Sequence, residues 1–203
     1  PSDWRTAQAD LLPKPNKDLT DARSWRHIVL FSAVYKLYAH VLAARLTNFA
    51  TVPGRLSMHQ RGFLPYLGGV HPHVFTLVRA FEDARRYELD LSVMFVDLVN
   101  AFGSVEVDVI AKGLELLRVP SRWLALVKDL YGSLRMWFRE YGRQRQLEDG
   151  HDEFVELERG VRQGCPLSPI IFIVVINPLL LWLELADDPG RPLGYSFARD
   201  SNL

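Results

Sequence analysis

One acidic residue, Asp97, stands at the end of an otherwise apolar segment. Over residues 91–98 the side chains alternate with a period of two, the pattern of a β-strand, and Asp97 would share one face with Val93 and Phe95. A carboxylate among apolar neighbours is costly to bury unless hydrogen bonds or a metal ion compensate its charge. The pattern therefore predicts a carboxylate at a strand end, where a metal ion or hydrogen bonds would compensate its charge. An ordinary capping or strand-end aspartate is the alternative.

A second segment whose residues could contribute to a functional site is 160–169, Gly-Val-Arg-Gln-Gly-Cys-Pro-Leu-Ser-Pro. It follows a predicted hairpin and precedes an apolar helix, so the amide of Gln163 and the bare backbone of Gly164 are presented near a helix start. A plain turn is the alternative. Cys165 is the one cysteine of the chain and can form no internal disulfide. Without a nearby histidine in the sequence, we interpret Cys165 as a small hydrophobic residue.

Basic and aromatic residues are mixed in the region of the predicted hairpin. The cluster comprises Arg135, Trp137, Phe138, Arg139, Tyr141, Arg143 and Arg145. Such a mixture suits the backbone and bases of a nucleic acid. A solvated hairpin explains it equally well.

The elements that must position these residues alternate in an α+β order. An apolar stripe of Val34, Leu37, Tyr38, Val41, Leu42 and Leu46 predicts a helix within 32–49, with Ser32 as its N-cap. Further helices are predicted at 74–87, 107–117, 121–134 and after Pro169. Strands are predicted at Leu11–Leu12, 25–30, 91–98, 135–141 and 153–159. Residues 51–73, rich in glycine and proline, predict a long irregular loop.

Composition leaves the class of partner open. The 203 residues are 48% hydrophobic, and 24 basic residues balance 24 acidic ones. A core of one large or two small domains is possible, and any basic surface must be local. The longest apolar run, 170–183, is interrupted by Asn177 and Pro178 and is shorter than the roughly 20 residues of a membrane span, so we interpret it as a buried helix.

Four segments, in this order, resemble successive motifs of non-LTR retrotransposon reverse transcriptases. They are Leu12-Pro13-Lys14 with Trp25-Arg26-His27-Ile28, then Gln60-Arg61-Gly62-Phe63, then Phe95-Val96-Asp97 with Ala101-Phe102, then 160–169. The string Gln-Gly-Cys-Pro-Leu-Ser-Pro is the most specific of them. The resemblance covers nearly the whole chain and implies the right-hand fold of polymerases. Residues 1–203 would form a single incomplete domain, with fingers mainly at 1–90 and a partial palm at 91–203 that carries a hairpin at 135–159.

The resemblance implies a metal site and a triphosphate site. Asp97, with the backbone carbonyl of Leu98, would bind two Mg²⁺ ions, which activate the primer hydroxyl and clamp the triphosphate. Lys14 and Arg26 lie on neighbouring predicted strands and would contact the incoming triphosphate. Surface solubility is the alternative for both basic residues.

Three further residues would contact the nucleotide by the same resemblance. Phe102 would lie under the incoming sugar and exclude a 2′-hydroxyl, although an aromatic residue after a strand is otherwise core. Gln163 would contact the nucleotide, and Gly164 would let the template or base pair approach. The chain departs from the family pattern at His27, where proline is usual, and at Gly103, where aspartate is common.

An acidic pair, Asp187-Asp188, invites interpretation as the family's second metal-binding motif. We interpret it as a decoy, because a helix precedes it and Pro189-Gly190 follows, whereas the true pair needs an apolar strand on each side. In the family a strand such as Gly194-Tyr195 precedes the true pair, which is expected beyond Leu203. With one of three expected carboxylates, these residues alone are expected to bind Mg²⁺ poorly and not to polymerise.

The function implied by the resemblance is RNA-directed DNA synthesis by two-metal nucleotidyl transfer. The partners would be an RNA template, a DNA primer and deoxynucleoside triphosphates, without a membrane, and the location would be intracellular, cytoplasmic or nuclear, by analogy. One alternative is a degenerate, non-catalytic nucleic-acid-binding remnant. A second is a maturase-like RNA-binding protein on the same scaffold. RNA-templated RNA synthesis is disfavoured because Phe102 would obstruct ribonucleotides.

Overall fold

The computed structural model describes residues 2–65, 69–132, 134–140, 143–144, 154–157, 159–186 and 194–197. Within these ranges, the chain forms α-helices and one small mixed sheet. The predicted combination of helices and strands is therefore confirmed.

Five strands form the sheet. They are β1 (Thr6–Pro13), β2 (Trp25–Leu30), β3 (Leu134–Glu140), β4 (Arg143–Gln144) and β5 (Val155–Leu157). The first two are antiparallel, with Leu12 opposite Arg26, which confirms that the predicted N-terminal strands pair. β3 runs parallel to β1 on one side and antiparallel to β5 on the other. The β3–β5 pairing confirms the predicted hairpin for its described residues.

Five α-helices complete the described structure. They are α1 (Ala33–Ala50), α2 (His71–Arg86), α3 (Val107–Leu116), α4 (Ser121–Tyr131) and α5 (Ser168–Ala186). All five were predicted, although α2 begins three residues before the predicted Val74 and α4 ends at Tyr131. Ser32 is the N-cap of α1, because its side chain accepts a hydrogen bond from the Tyr35 amide at 3.2 Å.

The buried face of α1 differs from the predicted one. Its buried residues are Tyr35, Ala39, Leu42, Leu46 and Ala50. Val34, Leu37 and Val41 of the predicted stripe are exposed. Small alanines let α1 approach its neighbours closely, so the helix turns a less apolar stripe inward. The apolar pattern located the helix and misjudged its orientation.

The core lies where α5 packs against α3 and α1. Pro178 stands inside α5 and cannot donate a backbone hydrogen bond to the carbonyl of Val174. Gly113 of α3 lies against that carbonyl, and a Cβ there would be only 3.3 Å from its oxygen. The side chain of Asn177, which is buried, accepts from the Ser57 amide at 2.8 Å and donates to the Arg55 carbonyl at 3.0 Å. α5 thereby fastens both α3 and the long loop after α1.

The predicted strand at 91–98 is wrong for this structure. The segment has no regular secondary structure and belongs to no sheet among the described residues, and Phe95 is 81% exposed. Asp97 is exposed too, so the expected cost of burying its carboxylate does not arise. A strand needs a neighbour for its backbone hydrogen bonds, and the described residues provide none for this segment. The alternating pattern could not show whether a partner strand is present.

One described helix, α5, meets the length and composition of a membrane span, and 28% of its most apolar window is buried in the structure. The core helix of a protein without a membrane segment passes the same test. Ile170, Ile171 and Ile173 are buried, whereas Trp182 and Leu185 are exposed. The predicted burial of this helix is confirmed for its first half.

Candidate functional site

A cleft of about 720 Å³ opens between the sheet and the segment that follows residues 91–98. Its walls come from β2, from residues 100–103, from β5 and from residues 159–163. Three of the residues predicted to bind a nucleotide, Arg26, Phe102 and Gln163, line this one cleft. They are far apart in sequence, so the fold brings them together.

Two backbone hydrogen bonds hold the wall that carries Phe102. The amide of Val161 donates to the Phe102 carbonyl at 2.7 Å, and the amide of Gly160 donates to the Val105 carbonyl at 2.6 Å. Gly160 has a φ of +98°, and a Cβ on it would lie 3.0 Å from the Cα of Gly103. Glycine at position 160 therefore lets the two segments approach this closely. At Gly103, the departure from the family pattern, a Cβ would instead meet the side chain of Asn100, 2.5 Å from its Nδ2.

The ring of Phe102 is fixed from behind. It stacks on Phe172 of α5, with centroids 4.9 Å apart and planes 13° apart. Phe63 meets it edge-on at 6.2 Å, in the segment Gln60–Phe63 that the resemblance had singled out. The ring is half-buried, so one part packs on the core while another lines the cleft. The core interpretation and the cleft interpretation of Phe102 both describe part of its surroundings.

The open charges of the cleft are positive. Arg26 and Arg159 line it and are exposed, and among the described residues neither side chain has a hydrogen bond or an ion pair. Glu156, an acidic residue of the lining, is paired with Arg135 at 3.2 Å. His27 also lines the cleft, beside Arg26. This arrangement suits a ligand that has both a negative charge and a flat apolar part.

Gln163 and Gly164 form an exposed turn at the cleft's edge, but only Gln163 lines it. Gly164 has a φ of +96°, and a Cβ on it would collide with the Val29 carbonyl oxygen of β2. Glycine is thus required here for packing against the sheet. Its predicted contact with a template or base pair stays a prediction.

Lys14 lies outside the cleft. It follows the end of β1, and its Nζ donates to the Arg23 carbonyl at 2.7 Å. The structure brings Arg26 and not Lys14 to the lining.

Asp97 and Leu98 lie outside this cleft as well. Leu98 lines a separate, mainly apolar cleft near Phe172, and the Asp97 carboxylate is exposed. Among the described residues, no three His, Cys, Asp or Glu side chains are grouped so that they could hold a metal ion. Asp97 is an oxygen donor of the right kind for Mg²⁺, but a single carboxylate is too small a ligand set. The described residues alone do not make a cation site.

Other predicted residues fall partly outside the described structure. In the basic and aromatic cluster, Trp137 and Phe138 are half-buried and Arg135 pairs with Glu156. Tyr141 and Arg145 lie outside the described residues, as do the side chains of Arg139 and Arg143. Asp187 and Asp188, interpreted as a decoy, also lie outside them.

Two functional candidates were missed by sequence reasoning. Arg159 lines the cleft, and Arg162 lies almost fully buried beneath the Gln163 turn. Burial also raises the pKa of the Tyr35 and Tyr131 phenols, which surround Arg162. The only sequence signal for these arginines was their position within or beside the specific string at 160–169.

Comparisons with known proteins agree on one family. A family model described as "Reverse transcriptase (RNA-dependent DNA polymerase)" matches residues 12–188. The chain is 28% identical to the "Transposon TX1 uncharacterized 149 kDa protein" of Xenopus laevis, over 91% of this chain and 13% of that protein.

Two further relatives are similar at the same level. The chain is 27% identical to the "Retrovirus-related Pol polyprotein from type-1 retrotransposable element R2" of Popillia japonica, over 96% of this chain and 26% of that protein. It is also 27% identical to the "Probable RNA-directed DNA polymerase from transposon BS" of Drosophila melanogaster, over 86% of this chain and 18% of that protein. The chain thus spans about a quarter or less of the length of these relatives.

Proposed function

This chain belongs to the reverse transcriptase family, and from that membership we propose that its parent protein copies RNA into DNA. The relatives are proteins of non-LTR retrotransposons, which confirms the resemblance found in the sequence motifs. An RNA template, a DNA primer and deoxynucleoside triphosphates are the proposed partners.

The observation that carries this proposal is the cleft shared by Arg26, Phe102 and Gln163. A nucleoside triphosphate combines a polyanion, a sugar and a flat base. The cleft offers a guanidinium, an aromatic ring and an amide as possible partners for these parts. In our proposal Arg26 binds the triphosphate through its planar fork of donors. Phe102 lies under the sugar, and the Gln163 amide contacts the nucleotide. Lys14 and Gly164 would join the site only through contacts that ligand binding creates.

The proposed metal chemistry needs ligands beyond the described residues. Asp97 and the Leu98 carbonyl would contribute to the site for two Mg²⁺ ions, and the remaining carboxylates would come from outside the described ranges. When bound, the ions would activate the primer hydroxyl and neutralise charge on the triphosphate. The described residues group no set of ligands that could hold the metal by themselves.

The same reasoning extends to the fold. We propose that residues 1–90 contribute mainly to the fingers and residues 91–203 mainly to the palm of a right-hand polymerase. In that arrangement residues 91–98 would gain a partner strand, which would make them part of a sheet. Asp97 would then be fixed at the end of a paired strand.

A second candidate function is nucleic-acid binding without synthesis, either in a degenerate remnant or in a maturase-like RNA-binding protein. The separation of Asp97 from the cleft favours this candidate. A maturase-like protein would retain specific RNA affinity when synthesis is blocked.

The test is primer extension by the parent protein on poly(rA) with an oligo(dT) primer and dTTP. Arg26→Gln should raise the KM for dTTP by about ten- to a hundredfold, because a hydrogen bond to a charged group contributes about 1.5–3 kcal/mol. Arg122→Gln is the matched control, since Arg122 is exposed on α4 and outside the cleft. Equal KM values for the two variants would reject the cleft as the nucleotide site. Absence of extension by the unmodified parent would favour the non-catalytic candidate.

A further inference from the structure

The turn that carries Gln163 is seated on a buried arginine. Arg162 is 1% exposed. Its guanidinium carbon lies 5.2 Å from the ring centroid of Tyr131, 5.7 Å from that of Tyr35 and 5.8 Å from that of Phe31. A cation near aromatic rings is attracted by their electron-rich faces, and more strongly when water is excluded. Arg162 is therefore held among rings from α1, from α4 and from the residue after β2.

The hydrogen bonds of Arg162 are few for a buried charge. Its Nη1 donates to the Trp4 carbonyl at 3.2 Å and to the Tyr35 hydroxyl at 3.3 Å. Its Nε and Nη2 have no hydrogen-bond partner in the described structure. Burial of a charge without a carboxylate partner is costly, so the rings and the two accepting oxygens have to compensate for it.

The backbone of the turn is fixed by the same cluster. The Arg162 carbonyl accepts from the Cys165 amide at 3.0 Å and from the Ser168 hydroxyl at 2.7 Å. Ser168 is in turn 3.0 Å from the Tyr131 hydroxyl, and the Cys165 sulfur is 3.1 Å from the Tyr35 hydroxyl. Residues on both sides of the exposed tip, Gln163 and Gly164, are thus anchored in the core.

We propose that Arg162 is a positioning residue that sets the orientation of Gln163 in the cleft. Its side chain and its own carbonyl are both anchored, so the direction in which the next residue leaves the core is determined. Lysine would not replace it, because its ammonium is a compact, strongly hydrated charge without the delocalised plane that lies among the three rings. This inference rests on the proposed function, since Gln163 is the residue that would contact the nucleotide.

The first measurement is steady-state primer extension by the parent protein, again with poly(rA), oligo(dT) and dTTP. Arg162→Lys should raise the KM for dTTP by about ten- to a hundredfold, because a misplaced contact residue weakens a site by such factors. The Kd for the primer–template should stay unchanged. Arg122→Lys, an exposed position on α4, should change neither value.

A double-mutant cycle separates positioning from general destabilisation. In a Gln163→Ala background, Arg162→Lys should raise the KM by less than about twofold, because the contact through which it acts is already gone. An effect of the same size in both backgrounds would overturn the inference and leave the proposed function intact.

A gentler variant covers the case in which Arg162→Lys does not fold. Tyr35→Phe keeps the ring beside Arg162 and removes a hydroxyl that contacts both the guanidinium and the Cys165 sulfur. It should raise the KM for dTTP by about threefold, in line with the loss of weak hydrogen bonds. Tyr38→Phe is the control on the same helix, because Tyr38 packs on Trp4 without contacting the guanidinium. Equal KM values for these two variants would overturn the inference.

Hydrogen exchange on the parent protein gives a readout that does not need activity. In Arg162→Lys the amide of Cys165, which donates to the Arg162 carbonyl, should exchange faster, while those of α1 and α5 keep their rates. Unchanged exchange in the turn would overturn the inference, and so would equal acceleration everywhere. If the unmodified parent extends no primer, the proposed function fails, and this exchange pattern still decides whether Arg162 fixes the turn.

Discussion

Phe102 has two sets of neighbours, one in the core and one in the cleft. Toward α5 its ring stacks on Phe172, which contributes to the stability of the fold. Toward the cleft it forms part of the proposed sugar site. A single substitution therefore affects both stability and selectivity, and only a matched pair of variants separates the two effects.

Phe102→Ala should raise the incorporation of ribonucleotides relative to deoxynucleotides in the parent protein, because it removes the wall against the 2′-hydroxyl. It should also lower the free energy of unfolding by about 2 kcal/mol, less than for a fully buried ring. Competition between dTTP and UTP in primer extension measures the first effect, and urea titration measures the second.

The control for this prediction is Phe172→Ala, which removes the stacking partner and leaves the cleft-lining ring in the chain. It should lower stability without changing the choice of sugar. If Phe102→Ala leaves ribonucleotide incorporation unchanged, the assignment of Phe102 as the sugar-selecting residue is wrong.

Asp97→Asn should abolish synthesis in the parent protein, by a factor of about a thousand or more, because metal binding contributes several kcal/mol to such reactions. The same substitution should change the free energy of unfolding by less than about 0.5 kcal/mol, since the carboxylate is exposed. Asp90→Asn, an exposed acid earlier in the same segment, is the control and should leave both unchanged. Equal activity of the two variants would argue for the non-catalytic candidate.

At the scale of single residues, the sequence singled out three side chains that line one cleft, Arg26, Phe102 and Gln163. Their contacts with a nucleotide stay predictions. The burial of Arg162 escaped prediction, since it depends on rings contributed by elements distant in the chain. Nothing in the local sequence distinguishes a buried arginine from an exposed one.

At the scale of elements, the contact between α3 and α5 depends on a proline in one helix and a glycine in the other. Pro178 leaves the Val174 carbonyl without its usual donor within the helix, and Gly113 allows α3 to lie against that carbonyl. The two helices approach closely because neither a side chain nor a bonded amide intervenes.

Gly113→Val should destabilise the fold by about 1–3 kcal/mol, the usual cost of forcing extra atoms into a packed contact. Glu115→Val is the matched control, because it places the same β-branched residue at an exposed position of the same helix. Urea titration of both variants gives the comparison. Equal unfolding midpoints would mean that the contact between α3 and α5 accommodates the added atoms without loss of stability.

The elements also show why local patterns predict helices better than sheets. Ser32 and the helix periodicity sufficed to locate α1, because capping and helical hydrogen bonds are local. The alternation over 91–98 gives the spacing of side chains in a strand, but a strand also needs a neighbouring backbone for its hydrogen bonds. The buried face of α1 was predicted wrongly for a similar reason. Which side of the helix is buried depends on the elements that pack against it, and these are distant in the sequence.

At the scale of the whole molecule, many large apolar side chains remain exposed. Among them are those of the segment before Asn100, the outer faces of α1 and α2 and the second half of α5. Val99 is 92% exposed and Leu185 is 86% exposed. Contiguous apolar surface of this kind marks a binding surface or a tendency to associate.

Residues 1–203 in isolation should therefore self-associate and bind the dye ANS. Phe95→Lys should reduce both, because it places a charge within the apolar segment before Asn100. Ser92→Lys adds the same charge to an exposed polar position nearby and should reduce them less. Sedimentation velocity and dye fluorescence compare the two variants, and an equal response would assign the effect to net charge alone.

The overall class was predicted from the sequence, whereas the complete sheet was not. The order of helices and strands was sufficient to predict a mixed structure of helices and strands, and the family followed from short strings whose residues have specific neighbours. The parallel pairing of β1 with β3 has no local signal, because it joins residues 6–9 to residues 135–138. Long-range pairing of this kind is visible only in three dimensions.

That pairing also orders events during translation. Thr6 of β1 lies opposite Arg135 of β3, so at roughly 5–20 residues per second about ten seconds pass between the synthesis of the two strands. β1 and β2 can pair within that time, but the second edge of β1 stays open until β3 leaves the ribosome. For these seconds the open edge of β1 can pair with a strand of another chain. A ribosome that slows before residue 134 would lengthen the time in which this incorrect pairing can occur.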